Sequence, residues 1–166
     1  MSVFPEEPFG SSTPLDLAPA PLAVVRHNGL RLSDLGAVFD PAYAALRQAI
    51  ADGAIVASGP ALAIYRGDPM DVFDLEVGFP VVSTSPVPLS IDDVQIEASE
   101  LPSGPAFATT VIGPYDGLGA AWGRLHAECA EQGHQPAGIW VEVYVSDPRT
   151  TALAELRTDL ILPVVR

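Results

Sequence analysis

Three side chains at alternate positions, Trp140, Glu142 and Tyr144, have the clearest chemical potential in this chain. They lie in the stretch IWVEVYV, whose alternation predicts a β-strand with these three residues on one face and Ile and Val on the other. A carboxylate between two aromatic rings costs free energy when it is buried without a partner. The combination suits a pocket that holds an organic cation or polarises a bound molecule, although an amphipathic edge strand would show the same pattern.

Five further aromatic residues are candidates for the lining of such a pocket. Aromatic faces bind planar or lipophilic ligands with little discrimination of shape, so several rings around one carboxylate would accept varied ligands. A role in the core is the alternative for each of them, because aromatic residues near helix starts often pack the helix against its sheet. The candidates are Phe39, Tyr43, Tyr65, Tyr115 and Trp122.

Composition excludes several classes of function. Eight basic residues against 21 acidic ones give a net charge of −13, and the basic residues are not clustered, so direct nucleic-acid binding is not expected. No signal peptide or membrane-length apolar run occurs, and the lone Cys129 cannot form an intrachain disulfide. We therefore expect a soluble cytoplasmic protein with no membrane partner.

An internal repeat organises the chain. The segment LGAVF, starting at Leu35, recurs as LGAAW, starting at Leu118, and the pattern Y-x-x-D-P occurs at both Tyr65 and Tyr144. FPV at Phe79 recurs later as LPV. At this repeat Glu142 corresponds to an alanine in the first half, which predicts an asymmetric site.

Each half is predicted to fold as strand, helix, strand, strand. The helices are expected over residues 33–52 and 116–132, with Gly133 in a left-handed conformation after the second and the Asp40-Pro41 pair kinking or restarting the first. The prediction is an α+β fold of tandem duplicated βαββ modules in an antiparallel sheet. Both main helices are expected on one face, and a ligand groove on the opposite face. The predicted boundaries are an N-terminal tail at 1–19, a first half at 20–82, a linker at 83–93 and a second half at 94–166.

Four segments of the chain resemble the GyrI-like (gyrase-inhibitor-like) small-molecule-binding superfamily, which includes effector-binding domains of AraC-type and MerR-type multidrug regulators. They are the YDGL at Tyr115, the EQG that ends the second helix, the WVEVYVSDP that starts at Trp140, and the ELRTDLILPV that starts at Glu155. The resemblance extends from about residue 22 to 164. It implies two βαββ modules with a ligand groove between them and a buried glutamate, here Glu142. No helix-turn-helix is visible, so a stand-alone sensor domain is expected.

Three functions remain open at this stage. The first is binding of amphipathic, cationic or aromatic small molecules, for sensing or sequestration. The second, implied by the resemblance, is hydrolysis of strained cyclopropanoid electrophiles by Glu142 with a tyrosine such as Tyr115. The third is inhibition of a nucleic-acid enzyme by the acidic surface, so a regulator or an enzyme remains a candidate protein partner. No cofactor is expected, and the three histidines are too scattered for a metal motif.

Overall fold

The computed structural model describes residues 4–165, which form nine β-strands and two α-helices. Residues 1–3 of the predicted tail and residue 166 of the predicted second half lie outside the described residues. The helices are α1 (Leu35–Ala51) and α2 (Leu118–Glu131), each preceded by one short 3-10 turn. The strands are β1 (Thr13–Leu17), β2 (Pro21–Leu30), β3 (Ala61–Gly67), β4 (Phe73–Pro80), β5 (Leu89–Ile91), β6 (Val94–Glu100), β7 (Gly104–Ile112), β8 (Ile139–Tyr144) and β9 (Arg157–Pro163).

The strands form one sheet in the order β1-β7-β9-β8-β3-β4-β2-β6-β5, and every neighbouring pair is antiparallel. The first module is β2, α1, β3 and β4, and the second is β7, α2, β8 and β9. The predicted α+β fold of two βαββ modules is confirmed.

The two modules meet where β3 pairs with β8. Ala63 lies directly opposite Glu142, its own counterpart in the repeat, while Tyr65 pairs with Trp140 and Ala61 with Tyr144. A pair of repeat-related residues can face each other only where a twofold axis passes between them. The pseudo-twofold axis therefore passes between Ala63 and Glu142.

Both helices cover the same face of the sheet. Helix α1 packs on Ala63, Tyr65 and Leu75 of the first module, and α2 packs on Leu160 and Leu162 of the second. Trp140 contacts both clusters, so the face that carries Glu142 is the helix-covered face.

The predicted position of the groove, on the face opposite the helices, is wrong. That face carries a separate apolar cluster that includes Leu62, Ile64, Val141 and Val143, all fully buried. Aromatic and aliphatic side chains of the N-terminal segment pack there, among them Phe4. Because this face is filled, the groove is left on the helix side, in the gap between α1 and α2.

The helix boundaries agree with the sequence pattern except at Pro41. Helix α1 runs through Pro41 without interruption, so the helix does not restart there. Gly133 has a φ of 81° just after α2, as predicted for a residue in the left-handed region.

Two segments outside the modules extend the sheet. Strand β1 lies in the predicted tail and pairs with β7 of the second module, whereas β6 pairs with β2 of the first. The predicted linker contains β5, which forms a hairpin with β6. Within residues 4–165 no helix is both long and apolar enough to cross a membrane.

Candidate functional site

A pocket of about 640 Å³ opens between α1, the sheet and the start of α2. Its size is in the range usual for small-molecule sites. Strands β3, β4 and β8 form its floor, α1 forms one wall, and the loop from β8 to β9 lies at its mouth. Lining side chains are Phe39, Asp40, Tyr43, Arg47, Ile50, Ala61, Tyr65, Phe79, Tyr115, Leu118, Glu142, Tyr144, Ser146, Asp147, Pro148 and Arg149.

Glu142 lies on this floor with only 8% of its surface exposed. Its Oε1 accepts hydrogen bonds from the hydroxyls of Tyr144, at 2.7 Å, and Tyr65, at 3.2 Å. Its Oε2 accepts one from Nε1 of Trp122 at 2.8 Å. These are the hydrogen bonds of Glu142 in the described part of the chain. Since a carboxylate can accept about four, room remains on Oε2 for a donor or a cation from a ligand.

The tyrosines around Glu142 are held in the protonated form. Burial, followed by the negative charge of Glu142, raises the pKa of both Tyr65 and Tyr144 well above the usual tyrosine value. Burial also raises the pKa of Tyr115 at the pocket mouth, with smaller effects of Asp147 and Glu142. At neutral pH these phenols therefore remain hydrogen-bond donors.

Aromatic rings form most of the apolar wall. Phe39 stacks on Tyr43 with 5.9 Å between ring centroids and meets Tyr144 edge-on at 6.4 Å. Tyr115 meets the other side of Tyr144 edge-on at 5.8 Å. The hydroxyl of Tyr43 donates to the carbonyl of Leu62 at 2.6 Å, which fixes the ring. A planar or lipophilic ligand would meet preformed aromatic surfaces here.

Charged side chains surround the mouth. Arg149 pairs with Asp147 at 2.7 Å in the loop from β8 to β9. Arg47 of α1 lies over the Tyr43 ring, with its Cζ 5.6 Å from the centroid. The site thus combines an anionic floor, aromatic walls and a mouth with both signs of charge.

Most of the residues predicted for the site meet in this pocket. Phe39, Tyr43, Tyr65, Tyr115, Glu142 and Tyr144 line it. The two tryptophans do not. Trp140 packs between Trp122 and His126, at ring distances of 4.8 and 4.3 Å, and Trp122 reaches the site only through its hydrogen bond to Glu142. Contact of either tryptophan with a ligand remains a prediction.

Sequence reasoning missed the charged and apolar residues of the wall and mouth. Asp40, Arg47 and Ile50 lie on α1 at helical spacings from Phe39 and Tyr43, and that spacing was a usable signal once Phe39 was a candidate. Asp147 and Arg149 follow β8 in a loop, where side-chain direction has no periodicity.

Fold and pocket together define a small-molecule-binding domain, and comparison with known proteins agrees. The model of the GyrI-like small molecule binding domain matches residues 15–165, so the chain belongs to the GyrI-like family. No curated protein matches it.

Several solved structures share the fold at low sequence identity. The C-terminal domain of EcmrR is 16% identical, with a TM-score of 0.74 over 94% of this chain and 98% of that one. SAV2435 bound to tetraphenylphosphonium is 13% identical, with a TM-score of 0.69 over 93% and 94% of the two chains. A hydrolase from Listeria innocua is 14% identical, with a TM-score of 0.64 over 96% and 94%. A match also extends over 57% of the EcmrR chain in its complex with DNA.

Proposed function

We propose that this protein binds amphipathic small molecules with an aromatic body and a positive charge, for sensing or sequestration. Glu142 is the polar anchor of the ligand. The observation that carries the proposal is a buried carboxylate with spare acceptor capacity at the base of an aromatic pocket of about 640 Å³. Such a carboxylate gains most from a ligand that brings a cation or a donor.

The charges of the lining favour the same ligand class. The lining has three carboxylates, Asp40, Glu142 and Asp147, against two guanidinium groups, Arg47 and Arg149. A positively charged group on the ligand would compensate the excess carboxylate. The similar fold of SAV2435, which is described as bound to tetraphenylphosphonium, makes this aromatic cation a suitable first probe.

Wild-type protein is expected to bind tetraphenylphosphonium, and Glu142→Gln is expected to weaken binding by about tenfold or more, because it removes the charge. The substitution is a clean test, since Trp122 can only donate and would meet the amide oxygen. The hydroxyls of Tyr65 and Tyr144 can rotate to accept from the amide nitrogen. Isothermal titration calorimetry would measure both affinities, with thermal unfolding as a second readout.

Tetraphenylborate is the matched control, because it has nearly the same shape and the opposite charge. Equal binding of the two ions would show that Glu142 does not select for charge. Absence of binding to any lipophilic cation would contradict the proposed function and direct attention to protein partners of the acidic surface.

Hydrolysis of strained electrophiles is a second candidate, favoured by the position of Tyr115. This tyrosine lines the pocket and contacts Tyr144, whose hydroxyl donates to Glu142. Glu142 would take a proton from water as the oxygen attacks a cyclopropane carbon. Tyr115 would give its proton to the carbon that leaves, and the proton on Glu142 would restore the phenol.

The expected product would have the mass of the substrate plus one water. If hydrolysis occurs, Tyr115→Phe should slow it by about 100-fold or more and leave affinity for tetraphenylphosphonium unchanged. Mass spectrometry of a cyclopropane-containing electrophile after incubation would measure the rate. A substrate that binds and is recovered intact would exclude this activity for that compound.

A further inference from the structure

The pocket is asymmetric in charge although the fold is pseudo-symmetric. Glu142 of the second module corresponds in the repeat to Ala63, and Arg47 of the first corresponds to Ala130. At these two non-equivalent positions the modules contribute charges of opposite sign to the lining, Glu142 on the floor and Arg47 on the α1 wall.

Arg47 differs from most other arginines of the described residues because it has no ion-pair partner. Its guanidinium lies over the face of Tyr43, with the Cζ 5.6 Å from the ring centroid. Asp147, in the loop at the mouth, already pairs with Arg149, whose Nε and Nη2 donate to it at 3.1 and 2.7 Å. The arginines that do form ion pairs are Arg26, Arg31, Arg66, Arg149 and Arg157.

The electric field of Arg47 extends across the mouth. Hydrogen bonds from Arg149 hold the pKa of Asp147 at about 2, and the positive charge of Arg47 adds to that effect. It also opposes the effect of burial and Glu142 on the pKa of Tyr43. Arg47 thus faces the same space as the loop from β8 to β9, and it lies against the aromatic ring of Tyr43.

We propose that the pocket is bipolar and selects aromatic zwitterions, with the cationic group of the ligand near Glu142 and a carboxylate or similar anionic group at Arg47. This inference rests on the proposed function and specifies its ligand class. The guanidinium group presents donors in a planar fork that matches a carboxylate, and the ring of Tyr43 holds it in position. A pocket of about 640 Å³ has room for a ligand of several rings, and both Glu142 and Arg47 line it.

The test uses two rhodamine dyes that differ in one group: a zwitterion with a free benzoate, and its methyl ester, which is a plain cation. Fluorescence polarisation would measure both affinities. The wild-type protein is expected to bind the zwitterion about tenfold more tightly than the ester, as a charge-assisted hydrogen bond would provide. Arg47→Leu should abolish this preference, and Arg47→Lys should keep part of it.

The control is Arg124→Leu, which removes the same charge from an exposed position on α2 outside the pocket. It should leave the preference unchanged. Equal binding of the two dyes by wild type, or a preference that persists in Arg47→Leu, would overturn the bipolar pocket. If, in that case, the ester still bound wild type and lost affinity in Glu142→Gln, cation binding at Glu142 would be retained and only the anionic site at Arg47 would be rejected. Failure of both dyes to bind would overturn both.

Discussion

Replacement of Gly78 by alanine is expected to lower the free energy of unfolding by about 4 kcal/mol or more. A Cβ atom at this position of β4 would lie 2.0 Å from the carbonyl oxygen of Ala23 and 2.9 Å from the Cα of Val24. These atoms belong to the backbone of β2, so relief requires the strand itself to move. Urea unfolding followed by circular dichroism would measure the loss, and ligand binding should fall with it because β4 forms part of the pocket floor.

Gly123→Ala in α2 is the matched control. Nothing lies within 4 Å of a Cβ at Gly123, and alanine favours the helix, so this variant should be unchanged or more stable by about 1 kcal/mol. A Gly78→Ala protein with wild-type stability would show that β2 and β4 do not approach each other this closely.

Replacement of Asp159 by alanine is expected to cost about 3–5 kcal/mol, because it leaves a nearly buried arginine without its counter-ion. Asp159 is fully buried, and its carboxylate accepts from Thr110 at 2.7 Å and from Arg157 at 3.0 and 3.1 Å. Arg157 also donates to backbone carbonyls of the N-terminal segment, including that of Glu7 at 3.2 Å. The loss should therefore appear both in urea unfolding and as faster proteolysis of that segment.

Asp147→Ala tests whether burial is the cause of the large stability loss expected for Asp159→Ala. Asp147 also pairs with an arginine two residues away, but its side chain is 36% exposed and that of Arg149 is 61% exposed. Its removal should change the free energy of unfolding by less than about 1 kcal/mol. Similar losses in the two variants would contradict the argument from burial.

Repeat-related positions of the two modules carry different residues because their surroundings differ. Gly78 corresponds to Ile161 of β9, which is fully buried in the cluster on the face away from the helices. The backbone of β2 lies so close to Gly78 of β4 that only glycine fits, whereas the related position in the second module has room for a large side chain. A similar difference shapes the pocket, since the small Ala63 lies opposite Glu142 across the axis and leaves space above it.

The sequence by itself determined the local elements, the repeat and the shared face of Trp140, Glu142 and Tyr144. These features depend on periodicity and on short motifs, because neighbouring residues along a strand or helix have fixed relative directions. The repeat also identified Ala63 as the counterpart of Glu142. The structure pairs these two residues across the twofold axis.

Only the tertiary structure decided what covers each face of the sheet. Alternation shows that three side chains point the same way, but the direction of the connections and the position of the N-terminal segment depend on contacts between distant residues. Those contacts placed the helices on the side of Glu142, packed Trp140 beneath α2, and left the gap that forms the pocket. They also brought Arg47 from α1 to the same space as the loop of Asp147. The opposing charges of the site therefore arise from packing, which no local pattern in the sequence encodes.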